Sequence, residues 1–164
     1  MICKLTSVDV PAILNVVNSA SIAYKGRIPS DMWKEPYMPF EELEKEIESG
    51  VQFFGCKETG VLTAVMGIQH VRDVTLIRHA YVLPNLQRKG LGRKLLEHLV
   101  GLVVTCQVYV GTWEAAGWAV KFYEKNGFQL VPEEEKSRLL RRYWTISERQ
   151  VETSVVLKLK RQVQ

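Results

Sequence analysis

One stretch constrains this chain more than any other: an apolar run that turns abruptly into a basic, glycine-punctuated helix start. The run, VTLIRHAYVLP over residues 74–84, reads as a strand, and Pro84 cannot extend a sheet ladder. Past a short polar link, Leu91, Leu95, Leu96, Leu99 and Leu102 recur at offsets 0, 4, 5, 8 and 11, one face of a helix. Between them lie Gly90 and Gly92, with Arg88, Lys89, Arg93 and Lys94 around them. A helix start leaves N–H groups unpaired and points the positive end of its dipole outward. The stretch is therefore suited to an anion, and a phosphate fits best.

Two familiar phosphate loops fail on spacing. A P-loop needs a Lys-Ser/Thr after its second glycine, and none follows Gly92. The dinucleotide fingerprint G-x-G-x-x-G would place its third glycine at Leu95, and Glu114, about 20 residues on, does not repair that as a ribose partner. What remains is Q-x-x-G-x-G, met by Gln87, Gly90 and Gly92.

Around this loop the pattern alternates strands and helices. Ile2 to Thr6 reads as a strand, and Ser7 or Asp9 caps a helix whose buried face is Ile13, Val16, Val17, Ala20 and Tyr24, with Gly26 ending it. Pro29, Pro36 and Pro39 make residues 27–40 a loop, in which Trp33, Tyr37 and Met38 either pin the backbone or wall a substrate pocket. Phe40 to Ser49 is a helix with Phe40, Leu43 and Ile47 as its apolar stripe and Glu41, Glu42, Glu44, Glu46 and Glu48 on a solvated face. Strands follow over 51–57, 61–71 and 74–83, the first two joined as a hairpin by Glu58-Thr59-Gly60. After the Leu91 helix come a strand over 107–113, a helix from Glu114 or Ala115 to Asn126, and a strand over 128–131. A helical segment over 133–143 and a closing strand over 153–159 complete the chain, leaving a frayed C-terminal tail. The expected fold class is α/β (α+β): one domain, a mixed, mostly antiparallel sheet flanked by helices.

In this frame the Gln87–Gly92 pattern, between strand and helix, resembles the cofactor loop of the GNAT superfamily of N-acetyltransferases. A second segment points the same way: Phe122, Tyr123, Glu124, Gly127 and Phe128 match the Phe-Tyr-Glu-x-x-Gly-Phe stretch that this family carries on the helix after its fifth strand. Both motifs stand in the right order, so the resemblance covers essentially the whole chain.

The resemblance implies acetyl-CoA as co-substrate, with its pyrophosphate on Gln87, Arg88, Lys89, Gly90, Leu91, Gly92, Arg93 and Lys94 and its pantetheine arm along the backbone of Ala80, Tyr81 and Val82. It implies a strand irregularity nearby and an N–H near Val82 that faces the thioester oxygen. The reaction implied is attack of a neutral amine on the thioester, with Tyr123 as the acid that protonates the departing thiolate. The acceptor is a primary amine of a small molecule or a protein, and the acyl group is acetyl or longer.

The base is not supplied by the resemblance. Relatives place one on the fourth strand, at positions that correspond to Leu76 and Arg78, or on the fifth strand and following helix, at Gly111 and Ala116; none of these can serve. Glu114, His79, His70 and Glu35 are the local candidates, with Glu114 favoured by its place at a strand's end, and a base acting through water stays open. Simple alternation puts His79 on the opposite sheet face from Arg78, as a core or cofactor-side residue. Arg78 is a candidate to grip an anionic group of the acceptor, or to pair with an acid of the Phe40–Ser49 helix. Trp33 and Tyr143 are further acceptor-site candidates.

Composition excludes some classes. At 164 residues, 46% hydrophobic and 24% charged, the chain is ordinary for one globular domain. Cys3, Cys56 and Cys106 are an odd number without paired spacing, so neither a disulfide framework nor a metal site is expected. No apolar stretch reaches the ~18 residues of a membrane span, and no signal peptide pattern is present. The expected location is cytoplasmic, with no membrane or nucleic-acid partner and with a homodimer allowed. The net charge of +4 suits an anionic ligand, and no aromatic-interleaved basic stripe favours nucleic acid. The competing reading is a non-catalytic acyl-CoA-binding regulatory module of the same fold.

Overall fold

The structure is a computed structural model in which residues 1–161 are described. Its elements run β1 (Ile2–Lys4), α1 (Val10–Ala20), α2 (Phe40–Glu48), β2 (Gln52–Glu58), β3 (Val61–Val71), β4 (Val74–Val82), α3 (Leu91–Gly101), β5 (Gln107–Trp113), α4 (Gly117–Lys125), β6 (Phe128–Leu130), α5 (Glu133–Tyr143), α6 (Glu148–Thr153) and β7 (Ser154–Leu159). This is the expected α/β class, a seven-stranded, mostly antiparallel sheet with flanking helices. The expected fraying of the tail falls partly on residues 162–164, outside the described residues.

The chain divides into two compact units. The first comprises Met1–Ala23, Lys34–His70 and Ile77–Val104. In it β1 pairs antiparallel with β2, and β2 with β3, where Glu58 faces Val61 across the two-residue turn Thr59-Gly60. Successive residues of β2 serve opposite faces, as the pleat requires. Phe53 joins Val10, Ile13, Val16 and Val17 of α1 and Leu43 of α2 in one core cluster. Phe54 instead lies under His98 of α3, ring centroids 5.4 Å apart. The α1 start follows its sequence: Thr6 N donates to Asp9 Oδ2 at 2.8 Å, and Pro11 sits in the first turn, where its missing N–H leaves no gap. The regular helix stops at Ala20 and continues as a 3-10 turn over Ser21–Tyr24, short of Gly26.

The second unit comprises Tyr24–Trp33, Val71–Leu76 and the chain from Thr105. Here β5 and β6 both pair antiparallel with β7. Leu139 and Leu140 of α5 and Val151 of α6 pack with Tyr109, Val156, Val74 and Leu76. Two expectations need correction in this unit. The α4 helix starts at Gly117, not at Glu114 or Ala115, because Glu114 and Ala115 form a turn in which Glu114 N bonds Thr153 O at 2.9 Å. The α6 helix was not expected, although its signal is legible: Ser147 accepts from Gln150 N at 3.1 Å, an S-x-x-Q helix start.

No helix of the described residues is long and apolar enough to cross a membrane. Among the same residues no group of His, Cys, Asp and Glu is placed to hold a metal ion.

Candidate functional site

The loop between β4 and α3 gathers backbone donors and cations. Pro84–Leu86 make one 3-10 turn. The chain then passes through two left-handed residues, Arg88 at φ +65° and Gly90 at φ +83°. Gly90 is the N-cap of α3, and no side chain caps the helix there. The first helical bond runs from Lys94 N to Gly90 O at 3.1 Å, so the N–H groups of Leu91, Gly92 and Arg93 have no helical acceptor. Serine, threonine or aspartate usually fills this role; its absence leaves the donors open to a ligand. The side chains of Arg88, Lys89, Arg93 and Lys94 are all exposed around them. Arg93 also pairs with Glu97 one turn on, at 2.9 Å. Gln87 is exposed within the same loop. Its Nε2 donates back to Val82 O at 3.1 Å, bracing the loop against the strand end.

Along β4 burial changes part-way. Val74 to Ile77 are buried, while Arg78 to Val82, which include Ala80 and Tyr81, are only half-buried. At the change stands His79, at φ +54°. A left-handed histidine inside a strand is a strained conformation, worth on the order of 1–3 kcal/mol. It breaks the alternation on which His79 was expected to face away from Arg78. Instead, both neighbouring side chains reach one carboxylate, Glu46 of α2.

That cluster also overturns the reading of Glu46 as part of a solvated face. Arg78 Nη1 lies 2.8 Å from Glu46 Oε2 and His79 Nε2 lies 3.3 Å from the same oxygen. Arg78 further donates to Gln69 Oε1 at 3.0 Å, and Gln69 Nε2 donates to Ser49 O at 3.0 Å, where α2 ends. Helix α2 is thus rolled so that Leu43 and Glu46 face inward, one turn apart, while Phe40 is 48% exposed and Ile47 40%. The expected Phe40-Leu43-Ile47 stripe fails because Arg78, a charge in an apolar strand, needs a partner more than two apolar side chains need cover. Burial pushes the Glu46 carboxyl up, but its contacts with His79 and Arg78 outweigh that and hold it below the usual carboxylate range. Burial pushes His79 down, the Glu46 contact opposes this, and Arg78 reinforces it, so the imidazole is neutral near pH 7. Neither Glu46 Oε2 nor His79 Nε2 completes a well-aligned hydrogen bond among the described residues.

The remaining candidates lie in the second unit. Tyr123 is buried on α4, its ring edge-on to Phe122 and Phe128 at 5.1 and 5.5 Å. Burial, with a smaller contribution from Tyr24, pushes its phenol well above the usual tyrosine value, so it keeps its proton at neutral pH. Glu114 is exposed in the turn after β5. Trp33 is half-buried after the 3-10 turn Ser30–Met32, a turn tied to α6 by Arg149, which grips both oxygens of Asp31 at 2.9 and 3.2 Å. Tyr143 is engaged by the fold: its hydroxyl donates to Asp73 at 2.9 Å and its ring stacks on Tyr109 at 6.2 Å. Gly111 is explained by the indole of Trp144, whose ring atoms would stand 3.3 and 3.4 Å from a Cβ there. A larger side chain at Gly111 would have to displace that ring.

Comparison with known proteins agrees with this architecture. No curated protein sequence matches the chain. Among solved structures, it is similar to the paia N-acetyltransferase of Thermoplasma acidophilum in complex with coenzyme A, at TM-score 0.72 and 18% identity, covering 98% of each chain. It is similar to the ribosomal-protein-S18-alanine N-acetyltransferase of Escherichia coli, at TM-score 0.66 and 20% identity, over 97% of this chain and 92% of that one. N-acetylglutamate synthase of Neisseria gonorrhoeae, complexed with coenzyme A and N-acetyl-glutamate, matches 97% of this chain with 34% of its own, at TM-score 0.64 and 19% identity. At such identities these likenesses speak for the fold. Membership rests on the model of the Acetyltransferase (GNAT) domain family, which matches residues 18–141 and so spans both the Gln87–Gly92 loop and the Phe122–Phe128 segment. The chain belongs to the GNAT acetyltransferase family.

Proposed function

We propose that the protein is an acetyl-CoA-dependent N-acetyltransferase that acylates a primary amine by direct attack on the thioester. The observation that carries this reading is the cradle at the start of α3: uncapped N–H groups, left-handed Arg88 and Gly90, and exposed cations on either side. The diphosphate of acetyl-CoA suits that cradle, because several amides and cations converge on one compact polyanion. The pantetheine arm runs along the half-buried Ala80, Tyr81 and Val82, whose peptide groups pair with its amides, and the Val82 N–H polarises the thioester. Tyr123 donates the proton that the departing CoA thiolate takes up. Burial keeps its phenol protonated at neutral pH and also makes it a weaker acid toward the thiolate.

A second reading is supported by one observation. Leu76 is buried, Arg78 is held by Glu46 and Gln69, Gly111 lies under Trp144, and Ala116 is buried; none is a base. That pattern suits a module that binds acyl-CoA without turnover. A thiol-release assay with acetyl-CoA over amino acids, polyamines, aminoglycosides and peptide N-termini separates the two. Release with any amine supports the enzyme. Calorimetric binding of acetyl-CoA with no release across the panel supports the module.

A further inference from the structure

The cluster of Glu46, Arg78 and His79 has a chemistry that the fold does not need. Arg78 alone balances the charge of Glu46, at 2.8 Å, and the imidazole beside them adds a buried polar ring without completing the hydrogen bonding of the site. A strand can place an apolar residue at this position at lower cost than a left-handed histidine. The arrangement has the geometry of an oriented base. Nε2 faces Glu46 at 3.3 Å, an ion-pair distance without an aligned hydrogen bond, and the carboxylate there favours a proton on that nitrogen. Phe53 stacks on the ring at 5.8 Å and fixes its plane. With Nε2 turned to Glu46, Nδ1 is the ring nitrogen that remains for a proton from another group. His79 also directly precedes Ala80, Tyr81 and Val82, the peptides assigned to the pantetheine arm.

Resting on the acetyltransferase reading above, we infer that His79, held by Glu46, is the general base of this protein. Nδ1 takes a proton from the acceptor's ammonium group, and the imidazolium so formed is stabilised by the carboxylate at Nε2. The freed lone pair forms the N–C bond to the thioester carbon as the C–S bond breaks. The second amine proton replaces the one that Tyr123 gives to the CoA sulfur, and the first returns from His79 to solvent. Burial, the largest influence on its basicity, disfavours the imidazolium; Glu46 and Glu42 of α2 favour it, and Arg78 on its own strand opposes it. Strand β4 thus carries its base at the irregularity itself, oriented from α2.

The test uses His79→Gly, because glycine adopts φ +54° without strain and leaves space for an exogenous imidazole. With the amine returned by the thiol-release screen, kcat/KM of His79→Gly is expected to fall by about 10²- to 10⁴-fold. Calorimetric affinity for acetyl-CoA is expected to hold, and added imidazole to restore part of the rate. The acid limb of the wild-type pH–rate profile should vanish in His79→Gly and move to lower pH in Glu46→Gln, which refolds the test onto a variant with the ring intact. Turnover of His79→Gly within threefold of wild type, or an unchanged acid limb, overturns the assignment. Absence of thiol release from the wild type with every amine overturns the acetyltransferase reading itself, an outcome distinct from either.

Discussion

Replacement of Gly90 separates the backbone of the cradle from its charge. Gly90 stands at φ +83°, ψ +6°, and a Cβ added there meets no atom within 4 Å. Gly90→Ala therefore creates no clash, and its cost is conformational. Holding an L-residue in the left-handed region costs about 1–2 kcal/mol, and the stiffer unfolded chain returns about 0.4–1 kcal/mol. The net loss is about 1 kcal/mol, which for a chain of this size lowers Tm by about 2–4 °C in calorimetry. Affinity for CoA should change little, because the amides stay where they are. Gly90→Glu carries the same backbone cost but sets a carboxylate among the donors. Its repulsion of a diphosphate is expected to weaken CoA binding at least tenfold, about 1.4 kcal/mol, and the excess over Gly90→Ala should shrink with added salt. Isothermal titration of both variants at low and high salt reads this directly. Equal CoA affinity in Gly90→Glu and wild type refutes the cradle, and an unchanged Tm in Gly90→Ala refutes the left-handed backbone.

Tyr123→Phe should lower turnover by about 10²-fold while acetyl-CoA affinity stays near wild type; an unaltered rate in a steady-state thiol assay would remove the phenol from the mechanism. Arg78→Ala leaves the Glu46 carboxylate buried without its cation, and chemical denaturation should show a loss of about 3 kcal/mol. A rise in the acceptor's KM without that loss would return Arg78 to substrate binding. Stability should also follow pH through His79. Its folded pKa lies below the ordinary 6.5 because of burial, so its contribution is fully present above 6.5 and is lost as pH falls from there toward the folded value. The slope is at most ~1.4 kcal/mol per pH unit. Glu46, also depressed, adds its loss only below its ordinary 4.5. Denaturant midpoints of wild type and His79→Gly, measured from about pH 7.5 to 5.5, check the sign: the wild type should lose stability over that range and the variant should be flatter.

Local signals account for most of the architecture. Strand β3 runs over the Val61–Val71 span that its β-rich composition and the Thr59-Gly60 turn demand, and α3 begins at Leu91, where the leucine spacing starts. The cradle was equally legible, because a glycine-containing turn, flanking cations and a following amphipathic helix are all local in sequence. Helix α2 marks the limit. Its strongest apolar stripe by spacing is not the one it buries, because Glu46 turns inward to meet Arg78 from 32 residues away.

The amino-acid sequence by itself determined the order of the strands and of every helix but α6, the basic, glycine-containing helix start and the family, since each depends on residues within a turn or a strand of one another. Only the tertiary structure decided where the His79 side chain goes. Alternation assigns the histidine and Arg78 to opposite faces, and a single positive φ reverses that assignment. No periodicity encodes this, because the conformation is favourable only when a carboxylate from another element is there to receive both side chains.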